Sequence, residues 1–382
     1  MGDKISHKIF LIPGLFGFGK LAGYDYFGHV KKALAQNYER ADERVEFHEI
    51  LPAPTSSLKN RARTLARTVA RCTSPQDQIH LLGHSTGGLD ARLALAPSIR
   101  LGLAPEDRVW QRQTQSLLTL NTPHFGTPLA SYFATVSGTR MLYALSLLTV
   151  ISLRLGEPSL AIFSRLLAAV GGIDAIAGGD LKVFSKLTGG ILRFVDQEAR
   201  SEITDYLDKV QTDQGAVIQI TPEAMDLFNA AVENAEHVRY GSILAAAPRP
   251  ASLRAARRIR SPYTALTAAL YSTLYQFTGQ RHESYKYAHL SPEELRVAEA
   301  RLGRSIGDVD NDGIVPSLSM KWGELVGIFD GDHLDMLGHF QDDQKPQQHI
   351  DWLTSGAKMN RARFQELMSR IAEFQLSSCS LS

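Results

Sequence analysis

The sequence predicts an α/β fold: a mostly parallel central sheet, helices on both of its faces and an inserted helical lid. Three observations predict it. Short apolar runs within 8–12, 78–82 and 116–121 are of the kind a buried parallel strand needs, and they alternate with segments of helical period. Residues 78–92, QIHLLGHSTGGLDAR, read as a strand, a glycine-rich turn and a helix start. A charge-poor stretch rich in Leu, Ala, Ile and Gly, 131–200, interrupts the alternation.

The first strand, 8–12, enters the glycine-rich loop Pro13-Gly14-Leu15-Phe16-Gly17-Phe18-Gly19. A G-x-G-x-x-G dinucleotide fingerprint is absent there. Phe27, Val30, Leu34 and Tyr38 share one helical face. Val45 and Phe47 alternate with polar residues as in a strand, and Pro52 and Pro54 mark a loop. Leu58, Ala62, Leu65, Val69 and Cys72 recur at helical spacing. Arg61, Arg63, Arg67 and Arg71 are expected mostly on the opposite, solvated face.

Gly83-His84-Ser85-Thr86-Gly87 then fits G-x-S-x-G. A sharp strand-to-helix turn crowds the neighbours of its serine and holds that serine in a strained backbone conformation, so small residues must flank it. Such a turn lifts the Ser85 hydroxyl out of the sheet at a helix N-terminus, where free N–H groups favour a developing oxyanion. The expected oxyanion donors are the N–H of Thr86, directly after the nucleophile, and that of Leu15 on the first loop. Asp90, near the helix start, is read as a favourable dipole contact.

After the strand at 116–121 comes Asn121-Thr122-Pro123-His124-Phe125-Gly126. His124 could act as a general base, but the expected chain order puts the base after the acid, so it is read as lining the pocket. Within 131–200, Leu142, Leu145, Leu148, Ile151 and Leu155 follow helical spacing, and glycine pairs such as Gly171-Gly172 read as hinges. The expected division is a first core half, 1–130, a helical cap or lid, 131–217, and a second core half, 218–382, with a C-terminal helix. A lid meeting greasy substrate must be apolar inside, so it is also expected to touch a lipid interface transiently.

From 218 the core pattern returns. Thr221-Pro222-Glu223 starts a helix, 238–244 reads as a strand, and 261–277 and 291–302 read as helices. The acidic run in 307–316 resembles an EF-hand loop but lacks its glutamate, since Ser319 stands at the twelfth position. It reads instead as a loop after a strand that presents Asp312. A short strand, 324–329, precedes His333. The order Ser85, Asp312, His333, with each residue just beyond a strand end, is the nucleophile–acid–base order this kind of sheet uses. Phe364, Leu367, Met368, Ile371 and Phe374 give a final amphipathic helix.

Composition removes other classes. The chain has 382 residues and a net charge of +1, so no electrostatic argument favours nucleic acid or an anionic membrane. Two cysteines, Cys72 and Cys379, make neither a disulfide framework nor a sequence-local metal cluster; they could pair only if the tail folds back. No transmembrane segment or signal peptide is visible, so the reading is cytoplasmic, with a secreted mature form equally compatible.

IPGLFGFGKLAGYDYF, LLGHSTGGLDAR, NTPHFGTPLA, ITPEAMDLFN, NDGIVP and HLDMLGHF resemble, in order, the markers of the bacterial true lipases, the Pseudomonas-type triacylglycerol lipases of the α/β-hydrolase fold. The resemblance covers 9–127, 221–229 and 310–340 and is weak across the expected lid. It implies lipid-ester hydrolysis and a mobile lid, and it supports Asp312 and His333 as partners of Ser85. It departs at Pro13, where the family has histidine. It also implies a structural calcium near the catalytic histidine. Asp335 matches one ligand position, His339 stands where glutamine is usual, and Glu293 and Glu294 are the upstream carboxylates considered.

The sequence therefore reads as a serine carboxylic-ester hydrolase, a lipase or esterase acting on glycerides or other hydrophobic esters, with no cofactor required for catalysis. An acyltransferase or thioesterase with the same triad, a serine peptidase, and a catalytically silent relative are the alternatives.

Overall fold

The computed structural model describes residues 6–15, 17, 20–21, 24–135, 142, 145–146, 197–213, 215–250, 259–340, 349 and 351–379. Six strands form one sheet: β1 (Ser6–Ile12), β4 (Arg44–Glu49), β5 (Gln78–His84), β6 (Thr114–Leu120), β7 (Arg239–Ala245) and β8 (Glu324–Phe329). Their spatial order is β4-β1-β5-β6-β7-β8, and every neighbouring pair is parallel. A short hairpin, β2 (Lys20–Leu21) with β3 (Tyr24–Asp25), stands apart from it. β5 and β6, the charge-free runs of the sequence, lie in the middle, as strands covered on both faces must.

The expected alternation holds. Helix α1 (Gly28–Arg40) buries Val30, Ala33, Leu34 and Tyr38. Helix α2 (Leu58–Cys72) starts on Ser57, whose side chain accepts from the N–H of Asn60. Helix α3 (Gly87–Leu95) follows β5, and α4 (Pro128–Phe133) follows β6. Then come α5 (Gln197–Thr212), α6 (Gly215–Gln219) and α7 (Pro222–Ala231); the last is capped by Thr221 with proline at its first position. Helix α8 (Pro262–Thr278) and α9 (Pro292–Leu302) both open on capping boxes, from Ser261 and Ser291. Helix α10 (Arg361–Ser378) buries Phe364, Leu367, Met368, Ile371 and Phe374. Phe374 fills the space above Gly241 on β7, where an added Cβ would stand 2.7 Å from its ring.

The arginine reading of α2 needs one correction. Arg67 and Arg71 are exposed and Arg63 is half-buried, but Arg61 is wholly buried. Asp90 is buried with it, so it is an ion-pair partner and not only a dipole contact. The expected lid, 131–217, falls mostly outside the described residues. Within it, Leu142, Leu145 and Ser146 are buried, and α5 and α6 are helices. Among the described residues, no helix is long and apolar enough to cross a membrane. Neither Cys72 nor Cys379 is in a disulfide.

Candidate active site

Ser85 follows β5 directly and has φ of 55°, in the left-handed region that a side chain adopts only when its surroundings hold it there. They do: the Ser85 N–H donates to the Leu120 carbonyl at 2.8 Å, and the Thr122 hydroxyl donates to the Ser85 carbonyl at 2.7 Å. The flanking glycines are required by close approach. A Cβ on Gly83 would lie 2.5 Å from the Gly88 nitrogen, and one on Gly87 would lie 2.2 Å from the Ile12 carbonyl oxygen.

The three sequence-predicted residues come together. His333 Nε2 lies 3.0 Å from Ser85 Oγ, and His333 Nδ1 lies 2.6 Å from Asp312 Oδ2. Asp312 Oδ1 accepts from the N–H groups of Ile314 and Val315, at 2.9 and 2.7 Å. A carboxylate accepts only, so the Nδ1 proton of His333 points to Asp312 and Nε2 is free to accept from Ser85. Asp312 sits on a loop that follows helix α9, not a strand as expected. The loop reaches the sheet edge nonetheless, because Ala247 N–H donates to the Asn311 carbonyl and Ser317 Oγ donates to the Ala245 carbonyl, just past β7. Among the described residues, α8 and α9 lie in the chain between β7 and its acid loop.

Several positioning residues were not foreseen. His333 N–H donates to the Asp312 carbonyl, while the His333 carbonyl accepts from His84 Nε2 at 2.9 Å and from Asn121 Nδ2 at 3.2 Å. His84 Nδ1 in turn accepts from the Tyr26 hydroxyl at 2.8 Å. Burial, with His333 nearby, pushes the His84 pKa down to about 3, so the ring is neutral with its proton on Nε2. Arg61 binds Asp90 through Nε at 2.9 Å and Nη2 at 2.8 Å. The same guanidinium donates to the carbonyls of Pro13 at 2.7 Å and Gly14 at 3.3 Å, and so fixes the loop that carries Leu15. A Cβ on Gly14 would stand 2.4 Å from Ser85 Cβ, which shows how closely that loop approaches the serine.

His124 neither lines the pocket nor faces Ser85's hydroxyl. Its Nδ1 meets Arg92 at 3.3 Å, its Nε2 meets Thr119 Oγ1 at 3.0 Å, and its ring stacks on Trp322. Burial, then the charge of Arg92, holds it neutral. The side chain is part of the packing beneath the site.

Ser85 and His333 open into a cleft of about 730 Å³, mouth included. Its walls are mostly apolar, with Leu15, Leu129, Phe133, Leu145, Ile220 and Trp352 among them. Asp335 lies past His333 and pairs with His349 Nε2 at 3.2 Å, and His349 Nδ1 reaches Asp351 at 2.8 Å. Calcium takes six to eight oxygens, and this donor set includes an imidazole, so the described residues do not fit calcium. Glu294 is engaged instead by the α9 capping box and by Lys321 at 3.0 Å, and neither Glu293 nor Glu294 belongs to the group around Asp335.

Residues 59–155, which include the Ser85 turn, match the family model described as "Putative serine esterase (DUF676)". No curated protein matches the sequence. Among solved structures, the chain is similar to Staphylococcus hyicus lipase, with 15% identity, a TM-score of 0.54, and coverage of 99% of this chain and 97% of that one. Lipase 1 from Pelosinus fermentans is 15% identical with a TM-score of 0.52, covering 97% and 98%. EstA from Clostridium botulinum is 16% identical with a TM-score of 0.51, covering 97% of this chain and 87% of that one. At these identities the likeness is one of fold: the chain has the α/β-hydrolase fold. It does not single out the Pseudomonas-type lipases.

Proposed function

We propose that the protein is a serine carboxylic-ester hydrolase that cleaves esters with an apolar acyl group. The observation that carries this reading is the continuous hydrogen-bonded relay from Ser85 Oγ through His333 to Asp312 at the floor of an apolar cleft. The match of 59–155 to an esterase family model supports the same reaction class.

The chemistry follows from the geometry. Ser85 Oγ attacks the ester carbonyl carbon while His333 Nε2 takes its proton. Asp312 holds the imidazole in the productive tautomer and stabilises the imidazolium. The tetrahedral oxyanion takes donors from the Leu15 and Thr86 N–H groups; one such donor is worth about 2.7–4 kcal/mol of barrier. Collapse breaks the C–O bond, and His333 returns the proton to the departing alkoxide. Water, activated by His333, then attacks the acyl-Ser85 ester, releasing the carboxylic acid and restoring the hydroxyl.

The leucine, isoleucine and phenylalanine side chains of the cleft favour a lipase-like substrate, an acyl chain of some length. The test is a series of p-nitrophenyl esters from acetate to palmitate. A profile that rises beyond the butyrate supports acyl binding in the cleft. A profile confined to acetate and butyrate keeps the ester hydrolase and removes the lipase.

A further inference from the structure

At the opposite end of the sheet from Ser85, three metal-ligating side chains from three elements meet. They are His7 on β1, His80 on β5 and Cys379, directly after α10. Their ligating atoms all lie within 4.8 Å of one another. His7 Nδ1 is 3.1 Å from His80 Nε2, and Cys379 Sγ is 3.8 Å from the same nitrogen. We propose that His7, His80 and Cys379 form a binding site for a borderline-soft divalent cation of the zinc class.

Three features support this. The first is spacing. Zinc held at about 2.0–2.1 Å by imidazole nitrogen and about 2.3 Å by thiolate sulfur sets its tetrahedral ligands roughly 3.3–3.6 Å apart. The two distances here, 3.1 and 3.8 Å, bracket that range, so small rotations of existing side chains admit the ion. The second is the outer shell. Metal-binding histidines present one ring nitrogen to the metal and anchor the other on a carboxylate, hydroxyl or carbonyl. His80 Nδ1 is anchored on Ser116 Oγ at 2.8 Å, and His7 Nε2 faces the Glu43 carboxylate at 3.6 Å. The third is access. His7 and His80 are buried, but Cys379 is half-buried, which leaves an entry path from solvent.

The donor chemistry selects the ion. Two imidazoles and a thiolate suit zinc and its neighbours, not magnesium or calcium. On binding, the Cys379 sulfur–hydrogen bond breaks, a metal–sulfur bond forms, and the proton leaves to solvent. The ion would tie the end of α10 to the starts of two central strands. With Ser85 beyond the other end of β5, it would take no part in ester chemistry.

The test uses the full chain, stripped with a chelator and titrated with Co²⁺. One equivalent should produce a thiolate-to-cobalt charge-transfer band in the near-ultraviolet and the intense visible bands of a four-coordinate ion. Zn²⁺ should abolish both and raise Tm. Cys379→Ser should lose the charge-transfer band and weaken Zn²⁺ binding by at least about tenfold, while Cys72→Ser and Ser85→Ala should bind as the parent does. Ester hydrolysis by apo Cys379→Ser, unchanged from the apo parent, checks that the variant is folded; His7→Gln is the second variant if it is not. Cobalt bound without a thiolate band would place the ion elsewhere, for instance on Asp335, His349 and Asp351, and would overturn the proposal. So would a band that survives Cys379→Ser, or equal Zn²⁺ affinity in parent and variant.

Discussion

The side chain of His84 donates from Nε2 to the backbone carbonyl of His333 at 2.9 Å. The residue just before the proposed nucleophile therefore holds the main chain of the proposed base. The strand-to-helix turn and the histidine loop are one unit, closed further by Asn121 and Tyr26. His84→Phe should lower kcat about tenfold or more, because it removes the bond that holds the main chain of the base; His84 also lines the cleft, so the loss falls on kcat more than on KM. Steady-state kinetics on p-nitrophenyl butyrate check the split; a change in KM alone would contradict it.

Asp312 fixes the tautomer of His333. Asp312→Asn offers an amide where a carboxylate accepted, and the side chain still fits. The expected loss in kcat is about 10⁴-fold with a native circular dichroism spectrum. A loss under tenfold would remove Asp312 from the relay.

Arg61 and Asp90 are a buried ion pair whose arginine also holds the Pro13 and Gly14 carbonyls. Removing one member leaves an uncompensated buried charge, so Arg61→Met should destabilise the fold by about 3–5 kcal/mol. Arg61→Met with Asp90→Leu should recover much of that stability. It should not recover activity, since the loop carrying Leu15 has lost its anchor. Urea midpoints and kcat, measured on all three proteins, separate the two effects.

Acid should weaken the fold in a defined window. Burial pushes His84 from an ordinary 6.5 to about 3 and holds His124 well below 6.5. Between those values the unfolded chain takes up protons that the folded chain refuses, so stability rises with pH there. It should be fully present above about pH 6.5 and decline steadily as pH falls toward 3. His84→Phe should make that slope shallower. Urea denaturation from pH 7 to 4 checks it; equal slopes would contradict the assignment.

The legible parts of this molecule were those with local signals. Apolar runs announced β5 and β6, the glycines around Ser85 announced the turn, and the positions of Asp312 and His333 relative to 324–329 announced the relay. Arg61 reads as solvated from its charge, although its spacing carries the opposite signal. It lies three residues after Leu58 and four before Leu65, inside the apolar stripe, and its charge outweighed its position. The acid-before-base order removes His124 as the base and leaves it as a pocket residue; its contacts with Arg92 and Trp322 come from distant segments and leave no sequence mark. The meeting of His7, His80 and Cys379 spans separations of 73 and 299 residues, which no spacing rule reaches. The insertion between β7 and the Asp312 loop, which carries α8 and α9, hides which strand end that loop serves.

The most direct measurement is labelling with an active-site serine phosphonate, read by peptide mass spectrometry. The relay predicts one adduct, on Ser85, absent in Ser85→Ala and strongly slowed in His333→Ala, with ester turnover lost in step in both folded variants. No adduct, an adduct on another residue, or normal turnover by Ser85→Ala would contradict the account.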